Sequence, residues 1–127
     1  MRQNAKAPAT LLAGFAVGAG IIGALQAQGT KKPSYAIADV DITDLAGYQA
    51  YGAKVPPTLK AYNGRIIVRG KPSPKEGALP QGLIVMLEFD SLADAEKWYT
   101  SPEYRALIPE RQKSAKAQIY MVEGLLQ

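Results

Sequence analysis

The sequence predicts an α+β sandwich whose elements run β-α-β-β-α-β, and three observations predict it. Tyr35–Ile42 alternates with period two. Two further apolar runs, Arg65–Arg69 and Leu83–Phe89, flank a stretch rich in Gly and Pro. Stretches with helical spacing follow the first and third of these strands.

In the first strand Ala36, Ala38, Val40 and Ile42 face one way, and Tyr35, Ile37, Asp39 and Asp41 the other. Thr43 or Asp44 can cap the helix that follows, which presents Leu45, Tyr48, Val55, Leu59 and Tyr62 on one side. Pro56-Pro57 is expected to interrupt it, because a proline nitrogen cannot donate to the preceding turn. Asn63-Gly64 ends it with residues that tolerate positive φ.

Arg65–Arg69 is a short strand, with Arg65 and Arg69 expected on the same side. The Pro- and Gly-rich segment 70–82 is a loop. Leu83–Phe89 is the most hydrophobic strand and so central. Ser91 with Asp94 forms a variant capping box, and Ser101-Pro102 restarts a second helical segment with proline at its first position. Gln118–Glu123 is the last strand.

This order is the ferredoxin-like split unit. Short connections favour an antiparallel sheet ordered 4-1-3-2 with both helical stretches on one face. Ala36, Ala38, Val40, Ile66, Val68, Val85, Leu87 and Phe89 would lie under the helices. The other face would carry Ile37, Ile67, Ile84, Met86 and Val122 beside Asp39, Arg65, Arg69 and Glu88. So many aliphatics on an open face predict a second copy covering it, a homodimer through sheet faces of the dimeric α/β-barrel kind.

The first part of the chain differs from the rest. A polar decapeptide with two cations precedes about fifteen uncharged residues, 11–25, and then Ala27 and Gly29. That is the order of a secretory signal, or of an uncleaved anchor if Gly14 and Gly18 bring helices together. The expected organisation is a signal peptide or membrane anchor at 1–29, a linker at 30–33 and the folded domain at 34–125. It implies a periplasmic or otherwise exported protein, tethered to a membrane only through residues 11–25 if the N-terminal segment stays uncleaved.

Composition narrows the chemistry. The 127 residues include no Cys and no His. Thiol nucleophiles, disulfides, imidazole bases and the usual zinc sites are therefore absent. No metal site and no cofactor are expected, and catalysis, if any, would rest on Asp, Glu, Tyr, Lys or Arg. The net charge of +4 is dispersed rather than striped, which argues against nucleic acid as a partner.

Tyr35–Val40, Tyr48 with Tyr51, Tyr62-Asn-Gly-Arg65, Arg69-Gly70, Glu88-Phe-Asp-Ser91, Trp98-Tyr-Thr-Ser-Pro-Glu-Tyr104 and Arg111 together resemble the family known as domain of unknown function 1330. The match spans about Tyr35 to Gly124. The resemblance implies a ferredoxin-like fold in the dimeric α/β-barrel superfamily. It implies no particular activity, and the chain departs from the family pattern at Lys71, Leu83 and Asp90.

Two readings compete for the polar residues. Trp98 and Tyr99 share helical spacing with Leu92 and Ala95, and Tyr104 with Leu107, Ile108 and Arg111, as core-packing residues would. Arg111 can pair with Glu88 or Asp39, and Arg65, Arg69, Asp39 and Asp41 can form salt bridges at the dimer seam. Alternatively Asp39, Tyr48, Arg65, Glu88, Trp98, Tyr104 and Arg111 border a ligand pocket. An Arg would then hold a small acidic or aromatic molecule, and Asp39 or Glu88 could serve as a base of raised pKa. The function expected is small-molecule binding by an exported dimer, with or without cofactor-free chemistry. The alternative is a non-catalytic structural or stress-associated homodimer.

Overall fold

A computed structural model describes residues 31–80 and 82–127; the leader expected at 1–29 lies outside them. Among the described residues no helix is long and apolar enough to cross a membrane. The body formed by Lys32–Leu125 is an α+β ferredoxin-like sandwich. Its elements are β1 (Ser34–Ile42), α1 (Leu45–Leu59) with a 3₁₀ turn (Lys60–Tyr62), β2 (Gly64–Gly70), β3 (Leu83–Phe89), α2 (Leu92–Tyr99), α3 (Pro102–Arg105), α4 (Ile108–Ser114) and β4 (Ala115–Glu123). All three strand pairings are antiparallel, in the order β2-β3-β1-β4. Strand order and element order match the expectation.

The caps are where the sequence puts them. Asp44 accepts from Gly47 N at 3.2 Å, Ser91 Oγ from Asp94 N at 3.1 Å and Ser101 Oγ from Tyr104 N at 3.2 Å. Each satisfies one of the donors a helix leaves open at its start. Asn63 takes a φ of 55°, the left-handed turn that swings the chain from α1 into β2.

Three local expectations need correction. Helix α1 runs on through Pro56 and Pro57 instead of breaking there. Both rings are exposed, so the carbonyls they leave without a donor lie near solvent, and the buried Tyr51, Val55 and Leu59 fix the helix on the sheet. Strand β4 begins at Ala115, three residues earlier than expected, because Asp41 and Ile42 extend the pairing to Lys116 and Ala115. The segment after Ser101 divides into α3 and α4, with Leu107 buried between them.

The largest correction concerns β2. Its register against β3 shifts between Ile66 and Val68: Ile66 faces Leu87, whereas Val68 faces Met86 and Arg69 faces Val85. Ile67 is the extra residue of a β-bulge. With a side-chain period of two, one added residue reverses the face of everything after it. Val68 thus moves to the outer face, and Arg69 turns to the helix side, away from Arg65.

The core lies between sheet and helices, with Phe89, Trp98 and Tyr104 at its centre. Gly64 crosses Phe89 so closely that an added Cβ would stand 2.5 Å from Phe89 Cε2 and 3.0 Å from Leu59 Cδ2. Phe89 is wholly buried and its ring has little room to yield. Gly64→Ala should therefore cost about 1–3 kcal/mol, as overpacking does. Urea unfolding followed by circular dichroism checks this; an unchanged midpoint would refute the packing argument.

Candidate functional site

A cavity of about 570 Å³ separates the sheet from α1. Its cause is legible in β1, where Ala36 and Ala38 put methyl groups on the helix side at positions that larger side chains would fill. Val85 and Leu87 of β3 continue this apolar floor. Tyr48, Tyr51 and Val55 of α1 form the opposite wall, and Trp98, Tyr104 and Arg111 close one end. Exposed Leu45, Gln49 and Pro56, with Arg69 across from them, mark the mouth.

The polar groups here belong to four tyrosines, Tyr48, Tyr51, Tyr99 and Tyr104, with Gln49, Trp98 and two arginines. Tyr51 and Tyr104 share a hydrogen bond of 2.8 Å between hydroxyls. Burial raises the Tyr51 phenol far above its ordinary range, and the adjoining Tyr104 raises it further. Burial also raises the Tyr48 phenol, against the opposing pull of Arg69 and Arg111. These two phenols therefore hold their protons at neutral pH. The aromatic end is continuous: Trp98 and Tyr104 have ring centroids 4.0 Å apart, and Phe89 lies 5.5 Å from Trp98. Trp98 Nε1 donates to Thr58 Oγ1 at 2.9 Å, and that hydroxyl donates to Val55 O at 2.7 Å, so the indole N–H is satisfied within the core.

Arg111 sits on α4 and is only 7% exposed. Its Nε has no hydrogen-bond partner, and it enters no ion pair among the described residues. The expected pairing with Glu88 or Asp39 does not form, because β1 and β3 turn those carboxylates to the other face of the sheet. Glu88 pairs there with Arg65 at 2.7 Å, and Arg65 reaches Asp90 at 3.5 Å. Asp39 accepts from Gly82 N at 3.3 Å.

Of the residues singled out in the sequence, the fold brings Tyr48, Trp98, Tyr104 and Arg111 to the cavity and keeps Asp39, Arg65 and Glu88 away from it. The base of raised pKa expected from Asp39 or Glu88 thus has no place in the cavity, whose wall carries no carboxylate among the described residues. Tyr51 and Arg69 are among the residues the fold adds, with Gln49 and Tyr99. Tyr51 continues the 48, 55, 59 face of α1 and was available from helical spacing. Arg69 reaches the cavity only through the bulge, which strict alternation does not reveal.

The sequence model of the family described as domain of unknown function (DUF1330) matches residues 33–125. No functionally curated protein matches the chain. Among solved structures, a protein of unknown function from Rhodopseudomonas palustris is 17% identical with a TM-score of 0.58, covering 85% of this chain and 94% of that one. A Bacteroides thetaiotaomicron protein described as a possible oxidoreductase is 9% identical with a TM-score of 0.52, covering 74% and 98%. SnoaB, a cofactor-independent oxygenase from Streptomyces nogalater, is 5% identical with a TM-score of 0.53, covering 76% and 96%. At these identities the likeness is one of fold.

Proposed function

This chain belongs to the DUF1330 family, and we propose that it is a small-molecule-binding homodimer whose ligand occupies the cavity between sheet and α1. The cavity carries this reading. Its volume of about 570 Å³ falls within the roughly 300–1,000 Å³ usual for small-molecule sites, and its wall is apolar with a few convergent polar groups. A flat aromatic body matches the Trp98 and Tyr104 rings at its closed end. Possible oxidoreductase and oxygenase descriptions among the fold neighbours agree with such a ligand without assigning a reaction. Among the described residues the wall offers no carboxylate, imidazole or thiol, and Tyr48 and Tyr51 hold their protons. It is thus furnished to donate hydrogen bonds rather than to abstract protons. Export through residues 1–29 belongs to the same proposal.

Trp98 is the single tryptophan, so its emission reports on the cavity. Titrating the full-length chain with quinones, aromatic acids and short acyl compounds should shift Trp98 emission and raise the Tm for at least one class. No change in either across the panel would leave the structural homodimer as the better reading.

The dimer rests on the outer face of the sheet. Ile37, Ile84 and Met86 lie at its middle, and the bulge adds Val68 to them. Tyr120 and Val122 are about half exposed beside them. Light scattering of the full-length chain at micromolar concentration should return twice the protomer mass, and Met86→Asp should return one. A single protomer mass for the unaltered chain would refute the dimer.

A further inference from the structure

Resting on the small-molecule reading, we infer that the cavity is a carboxylate site: its ligand is a small organic anion with a flat apolar body, held by its carboxylate between Arg111 and Arg69. Among the described residues the wall carries two guanidinium groups and no acidic side chain. A charge taken out of water is costly unless it is paired and hydrogen-bonded. Arg111 is buried, it pairs with no carboxylate among the described residues, and its Nε is orphaned. Such a group is prepared for a partner that comes from elsewhere.

The nearby acids are already committed. Glu110, the residue before Arg111, points to Lys54 on α1 at 2.8 Å and ties the two helices together outside the cavity. Glu88 and Asp90 hold Arg65 on the other face of the sheet. Meanwhile the bulge at Ile67 turns Arg69 inward at the mouth, adding a second cation instead of a counter-charge. Both guanidinium groups act on the Tyr48 phenol, which places that hydroxyl within reach of their fields.

The tyrosine pair supplies a further donor. Whichever hydroxyl of Tyr51 and Tyr104 donates in their 2.8 Å bond, the other keeps its proton for a third group. A carboxylate only accepts, so it matches guanidinium and phenol donors together. Ala36 and Ala38 leave room for the apolar body beside the rings.

The test compares 2-naphthoate with 2-naphthamide, equal in shape and different in charge, by calorimetry on the full-length chain at neutral pH. Naphthoate should bind on the order of tenfold or more tighter than the amide, the difference expected of a charge-assisted hydrogen bond over a neutral one. Arg111→Met should remove that preference, weakening naphthoate far more than naphthamide. Arg111→Lys should retain part of it. Arg69→Met, at an exposed position, should weaken naphthoate several-fold without altering the Tm. The unliganded Arg111→Met chain should be as stable as the unaltered one or more so, since an uncompensated buried charge is gone.

Equal affinity for acid and amide would overturn the carboxylate site and leave small-molecule binding standing. Failure of both compounds to bind would overturn both readings. If Arg111→Met lowers the Tm of the unliganded chain by several degrees, Arg111 is a structural residue and the inference fails. Competition by chloride as effective as by benzoate would reduce the site to a general anion hole, and the organic-anion assignment would fall.

Discussion

Trp98→Ala should bring the folded chain close to the limit of its stability, with a loss of about 3–5 kcal/mol. The indole is 3% exposed and packs against Phe89 and Tyr104. Removing it opens a void beside a cavity that already exists, so the surrounding structure has little to collapse onto. Its N–H anchors Thr58, which is held in turn to the Val55 carbonyl, so the loss also loosens the end of α1. Domains of this size have roughly 5–15 kcal/mol in total. The midpoint of urea unfolding, read by circular dichroism because the fluorophore is gone, should fall by a third or more. Trp98→Phe keeps an aromatic ring and loses the hydrogen bond, and should cost distinctly less. If Trp98→Ala unfolds at nearly the same urea concentration as the unaltered chain, Trp98 is a ligand wall and not a core residue. That would also change how its fluorescence response is to be understood.

The same tryptophan shows how packing and site coincide. Its spacing with Ala95 supports a core reading, and Ala95 and Trp98 are indeed the buried residues of α2. Yet Trp98 also lines the cavity. The two readings are compatible because the core does not close completely over a sheet face that carries only methyl groups at Ala36 and Ala38. Residues on its inner boundary are packed on one side and open on the other.

Periodicity carries most of the fold because it depends on local backbone geometry. Alternation in β1, the caps at Asp44, Ser91 and Ser101, and the left-handed Asn63 are each written in a few adjacent residues. Tyr51 is legible in the same way, three residues beyond Tyr48 and four before Val55 on one helical face. Arg69 is different. Nothing at Ile67 marks a bulge, since neither glycine nor proline stands there and Ile67 sits inside a short apolar run between Arg65 and Arg69. The insertion is fixed by the pairing of β2 with β3, a tertiary matter. Arg111 poses a related difficulty. Charge complementarity proposes Glu88 or Asp39 as its partner, but the pleat sends both to the opposite side of the sheet. Sequence gives the inventory of charges; the sheet decides which can meet.

The bulge has consequences on both faces of the sheet. Turning Arg69 inward leaves an outer face with one fewer charge and Val68 in addition. The outer face becomes more apolar and better suited to a second copy, while the inner cavity becomes more positive and better suited to an anion. A single extra residue therefore supports both parts of the proposed function. Deleting Ile67 makes the strand regular yet keeps Val68 opposite Met86 and Arg69 opposite Val85. Dimer formation and naphthoate binding should therefore both survive it, and circular dichroism would establish that the shortened chain still folds.

Raising the pH above 10 should destabilise the chain by about 1.4 kcal/mol per pH unit for each buried phenol that keeps its proton, and Tyr51 is the phenol with the strongest claim. In the unfolded chain it ionises near its ordinary value of 10. In the folded chain burial holds it protonated well beyond that, helped by Tyr104. Above pH 10 the folded state then binds more protons than the unfolded state, and stability falls as pH rises. Below pH 10 both states are protonated and the contribution is fully present. The neighbouring charges do not reverse the sign: Arg111 favours the phenolate but is outweighed by burial, and Tyr48 acts with Tyr104 to raise the value. Tyr51→Phe cannot ionise, so it should flatten the alkaline decline. It should cost about 1–2 kcal/mol at neutral pH through loss of the hydroxyl pair with Tyr104. Urea midpoints from pH 8 to pH 11.5 test this, with phenolate absorbance recording how many tyrosines ionise before unfolding. If Tyr51→Phe shows the same alkaline decline as the unaltered chain, the Tyr51 hydroxyl reaches solvent readily, and the closed end of the cavity is more open to water than its lining implies.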